Sequence, residues 1–107
     1  MELSKSQKKV ARQLINEALQ RECKTFLEEV KEILPQKDRT PHEVYLQLFK
    51  KVDDFDEYIA KQYDRVSGAY YFITILNLYY NNVLTEDDIN LFDEEIRQKL
   101  IELKQTL

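Results

Sequence analysis

The chain has 107 residues, of which 43% are hydrophobic and 34% charged, a balance that fills and solvates one core and argues against both disorder and two independent domains. One glycine and two prolines leave too few turn formers for a sheet protein of this length, so the composition points to an all-α fold. The net charge of −4 is too small to name a partner, and the single cysteine excludes an internal disulfide.

A first helix is expected over about 5–34. Ser4 and Gln7 stand at capping-box spacing, and apolar residues recur at Val10, Ala11, Leu14, Ile15, Ala18, Leu19, Cys23, Phe26, Leu27, Val30, Ile33 and Leu34. Pro35 ends it, because the residue before a proline is pushed out of the α region. The apolar stripe of the first half is rotated by roughly 100° from that of the second half. Either the helix bends, or its N-terminal half faces another surface, such as a second subunit.

Thr40-Pro41-His42-Glu43 is the clearest local signal. Thr40 supplies a cap, Pro41 suits the first helical position, and Glu43 can reach back to the Thr40 amide. The helix expected over 41–66 carries Val44, Leu48, Val52, Phe55, Ile59 and Val66 on one face, broadened by Tyr45, Phe49 and Tyr63. Ser67-Gly68 marks its end.

The run from Tyr70 to Leu84 is rich in strand-favouring residues, but a lone strand would find no partner here, so a helix over 69–84 is expected. It is apolar nearly all round, with Thr74, Asn77 and Asn81 forming one narrow polar stripe. The run is too short and too interrupted to span a bilayer. Thr85 then caps a last helix over 86–105, whose core stripe is Ile89, Phe92, Ile96, Leu100, Leu103 and Leu107. The simplest assembly is one domain, residues 1–107, folded as an antiparallel four-helix bundle with an over-long first helix.

No set of residues converges on a catalytic or metal-binding pattern. His42 is the only histidine, and neither a cysteine pair nor a His-Glu-x-x-His spacing occurs. Cys23 lies on an apolar stripe and reads as an inert thiol. Asp53, Asp54, Asp56, Glu57 and Asp64 are interleaved with Lys50, Lys51, Lys61 and Arg65, which reads as a self-neutralised solvated face. The same holds for Asp93, Glu94 and Glu95 beside Arg97 and Lys99.

Two features point to contact with other molecules. Lys5, Lys8, Lys9 and Arg12 place cations at a helix N-terminus, against the dipole. Residues 1–25 hold six Lys/Arg against three Glu, whereas residues 69–107 hold three against seven Asp/Glu. Seven tyrosines is also a raised count, and tyrosine suits half-wet interfaces. The expected function is therefore a non-enzymatic protein-interaction or oligomerisation module. Its candidate surface is Lys5, Lys8, Lys9, Val10, Arg12 and Leu14 on the first helix, with Tyr70, Thr74, Asn77 and Asn81 on the third. The partner is another protein or a second copy of the chain, with no cofactor, metal, membrane or small-molecule ligand implied. A nucleic-acid-associated protein using the basic N-terminal segment is an alternative, opposed by the acidity of the remainder and the lack of a helix-turn-helix pattern. An inhibitor or immunity-type helical bundle is another, by size and class alone. The lone cysteine and the absence of an apolar leader after Met-Glu-Leu-Ser-Lys suggest a cytoplasmic location.

Overall fold

Ser4 starts the first helix, as its spacing to Gln7 requires. In the computed structural model, which describes residues 1–64 and 68–107, the Ser4 hydroxyl accepts from the Gln7 amide at 3.2 Å. The Gln7 side chain accepts in turn from the Ser4 amide at 2.7 Å. Helix α1 (Lys5–Ile33) then runs for 29 residues, about 44 Å at the helical rise. Thr40 and Glu43 form the second reciprocal cap at 3.2 and 3.1 Å, with Pro41 opening α2 (Pro41–Tyr63). A 3₁₀ turn over Gly68–Tyr70 leads into α3 (Tyr71–Tyr80), followed by α4 (Glu86–Ile89) and α5 (Glu94–Thr106). The described residues contain no strand, so the aromatic run is helical.

Two expected boundaries move, each for a local reason, and a third falls outside the described residues. Helix α3 stops at Tyr80 rather than 84, because Asn82 takes a left-handed conformation (φ 62°) that asparagine tolerates. The Val83 amide then bonds the Leu78 carbonyl at 2.9 Å and the Asn82 amide bonds that of Tyr79 at 3.1 Å, closing a Schellman motif. The expected helix over 86–105 is two helices: Asp93, read from sequence as a solvated acid, accepts from the Ile96 amide at 3.2 Å and caps α5. Helix α2 closes at Tyr63. Arg65, Val66 and Ser67 lie outside the described residues, and with them the place of Val66 on the apolar face and the expected end at Ser67-Gly68.

The core is built at one end of the molecule. Ala11, Leu14, Ile15 and Ala18 of α1 meet Phe72, Ile75, Leu76, Leu78 and Tyr79 of α3, closed off by Leu84, Ile89, Phe92, Ile96 and Leu100. Ala11 and Ala18 are small enough to let α3 approach closely. At the rim, Gln7 donates to Asp93 at 2.8 Å, joining the caps of α1 and α5. Near the chain's end, Lys104 donates to Asn82 at 3.0 Å and lies 4.1 Å from the centre of the Tyr79 ring.

Among the described residues, helix α2 touches this core only through half-buried Tyr63 at its end. It packs chiefly along the second half of α1, and none of its residues is fully buried. The molecule is consequently long, 55 × 23 × 23 Å, with a radius of gyration of 17.2 Å against about 13 Å for a compact chain of this size. The helices therefore do not share one four-membered core: α3 packs on the first half of α1 and shares a core there with α4 and α5, and the second half of α1 forms an antiparallel hairpin with α2. This accounts for the rotated stripe of α1 within a single chain.

Arg21, near the middle of α1, joins the two regions. Its guanidinium donates to both carboxylate oxygens of Asp88 at 2.7 and 2.9 Å and to the Val83 carbonyl at 3.1 Å. These hydrogen bonds, with those from the Thr85 amide and hydroxyl, hold the Asp88 carboxyl well below the usual carboxylate range.

Two outcomes follow from this arrangement. Leu14→Ala should cost about 2–5 kcal/mol in chemical denaturation, whereas Leu46→Ser on exposed α2 should stay within about 0.5 kcal/mol. A depressed carboxylate stabilises the fold above its unfolded pKa of about 4 and loses that contribution as pH falls further. The melting temperature should therefore fall more steeply below about pH 5 in the native chain than in Asp88→Asn.

Candidate interaction surface

The α1–α2 hairpin is zipped by a short ladder. Phe26 stacks on Phe55 with ring centres 4.2 Å apart and planes within 11°. Lys51 pairs with Glu29 at 2.6 Å while lying 5.7 Å from the Phe26 ring centre. The hydroxyls of Tyr58 and Tyr63 donate to the two carboxylate oxygens of Glu22. Towards the tip, Gln36 donates to Gln47 at 3.1 Å and to the Ile33 carbonyl. Burial, reinforced by the Glu22 carboxylate, pushes the Tyr58 phenol up to about 12 and the Tyr63 phenol upward as well.

These contacts leave the two sides of the hairpin chemically different. One side is charged and carries a shallow groove bordered by Glu29, Glu32, Lys50, Lys51 and Asp54. The other is apolar and uncovered: Leu27 and Leu34 of α1 and Tyr45, Phe49 and Val52 of α2 are each between 46% and 61% exposed. Helical spacing places the five on one side. Two of them, Leu34 and Tyr45, meet at the tip, where with Val44, Leu48, Gln36 and Arg39 they line an open cavity of about 390 Å³. A row of large apolar side chains left in water marks a contact site more often than an ordinary solvated surface.

The residues expected from sequence to form a surface are divided by the fold. Leu14 is fully buried and Val10 is half-buried against the core, and the element that covers α1 there is α3. Thr74 is also buried. The wet face of α3 is centred on Ile73, Asn77 and Tyr80, with Tyr70 and Asn81 beside it, and Thr74 falls just inside the edge covered by its neighbours. Lys5, Lys9 and Arg12 are exposed on the side of α1 turned away from Ala11, Leu14 and Ala18, and half-buried Lys8 lies at the flank between the two sides. The Arg12 guanidinium lies 5.9 Å from the centre of the Tyr71 ring. His42 is exposed and stacks loosely on Tyr45, their ring centres 6.3 Å apart, and Cys23 is a half-buried free thiol.

The apolar side of the hairpin was not among the expected surfaces. Its signal was present in the breadth of the α2 stripe: Tyr45 and Phe49 widen it beyond what one neighbouring helix covers. Among the described residues no group of three or more His, Cys, Asp or Glu is placed to hold a metal ion, and no helix is long and apolar enough to cross a membrane. No protein-family model, curated protein or solved structure matches the chain.

The Glu22 ladder can be read directly by alkaline titration of phenolate absorbance. Tyr58, Tyr63 and the buried Tyr79 should be the last of the seven to ionise, and Tyr58→Phe and Tyr63→Phe should each remove one late-titrating group. A raised phenol stabilises the fold below its unfolded pKa of about 10 and loses that contribution as pH rises through its folded value. The hairpin should therefore loosen only in strong alkali, seen as lost helical ellipticity.

Proposed function

We propose that this protein is a non-enzymatic interaction module that acts by contact, through the apolar side of the α1–α2 hairpin. The observation that supports this reading is the pairing of an unburied α2 with a row of large apolar side chains left in water. Ordering the 23 residues of α2 against one neighbouring helix recovers little apolar burial, and burial on a second surface would add to it. The bundle architecture expected from sequence belongs here too: a two-helix amphipathic hairpin is half of a four-helix bundle, and a partner's helices complete it. An intracellular setting agrees with the single free thiol.

The reading is tested by asking whether the apolar side is covered at physiological composition. In a Cys23→Ser background, Val52→Cys places a thiol on that side, and Gln98→Cys places a control on exposed α5. In cell extract the thiol at position 52 should alkylate at least about tenfold more slowly than in purified protein diluted to nanomolar, with the thiol at 98 unchanged. Equal rates at position 52 in both settings would remove the proposal.

A further inference from the structure

We infer that the partner on the apolar side of the hairpin is a second copy of this chain, the two hairpins closing into an intermolecular four-helix bundle. The inference rests on the contact reading above and names its occupant. Three observations carry it.

The first is charge. By helical spacing, Lys24 and Lys31 border the apolar side along the outer edge of α1, and Asp53 and Asp56 border it along the outer edge of α2. None of the four has an ion-pair partner among the described residues, although six other ion pairs are formed. One edge of the patch is therefore basic and the other acidic, which makes the patch complementary to itself when turned about a two-fold axis.

The second is register. Phe26 stands opposite Phe55, Glu29 opposite Lys51 and Glu22 opposite Tyr58. In that register Lys24 is level with Asp56. A two-fold axis running along the hairpin keeps those levels and lays α1 of one copy over α2 of the other, antiparallel. Lys24 of each copy then meets Asp56 of the other, and Leu27, Leu34, Tyr45, Phe49 and Val52 from both copies fill the space between. An axis perpendicular to the helices would instead set like edge against like edge, lysine facing lysine.

The third is area. The exposed parts of those five side chains amount to an apolar patch on the order of 500 Å² per chain, at the top of the range for a monomer. With the flanking charged edges included, the patch approaches the ~800 Å² per partner of a standard stable interface.

Sedimentation of the full chain from nanomolar to hundred-micromolar concentration tests the inference. A reversible dimer should form in the micromolar range. Phe49→Glu should hold the chain monomeric throughout while leaving its helical ellipticity intact, since Phe49 is 61% exposed in the subunit. Lys24→Glu and Asp56→Lys should each weaken the dimer by about tenfold, counting both symmetry-related pairs, and the doubly reversed chain should regain most of the affinity. A strict monomer at the highest concentration would overturn the inference, as would a dimer indifferent to Phe49→Glu. A monomer whose thiol at position 52 is still protected in extract would leave the contact reading standing with a different partner. A monomer unprotected in extract would remove both.

Discussion

A single uninterrupted helix has to satisfy two neighbours that lie in different directions, and the rest of the molecule is arranged around that constraint. The apolar stripe of α1 turns by roughly 100° part-way along the helix. The first half faces α3 and the second faces α2, so the elements on either side cannot merge into one core. Arg21 sits at the change of direction and is held there by Asp88 and the Val83 carbonyl. The Arg21–Asp88 pair is a long-range tie between the two regions, whereas the helix caps are local contacts. They determine where each element begins, while the turning stripe decides which elements meet.

The energetic result is uneven. Among the described residues, the fully buried large side chains all belong to the end where α1, α3, α4 and α5 converge. The hairpin is held instead by one inter-helix aromatic stack, a partly exposed ion pair, two tyrosine hydroxyls on a single carboxylate and the Gln36–Gln47 hydrogen bond. Exposed ion pairs contribute little, and a helix covered on one side retains few of the contacts that stabilise a packed one. Such a region is the part of the fold that opens most readily, and also the part with apolar surface to offer. Stability resides at one end of the protein and capacity for contact at the other.

Much of this was legible from residue order. The capping boxes at Ser4, Thr40 and Thr85 formed as their spacing required, since each depends only on residues within one turn. The helical state of the Tyr70–Leu84 run followed from the lack of any partner strand. Helix ends that depend on competing local bonds were harder: Asn82 and Asp93 are both common in solvated positions, and only their surroundings select the left-handed turn and the cap.

Sequence alone determined the class, the caps and the rotation of the α1 stripe, because these follow from backbone geometry over a few residues. It left open what the rotated stripe faces. Val10 and Leu14 had the spacing of an outward contact as much as of an inward one, and their burial depends on α3 folding back from more than fifty residues away. The open side of the hairpin was likewise decided in three dimensions. Tyr45, Phe49 and Val52 belong to the same broad stripe as Val44, Leu48 and Phe55. Which half of that stripe is covered is set by the direction from which α1 approaches, a non-local choice that no local spacing records.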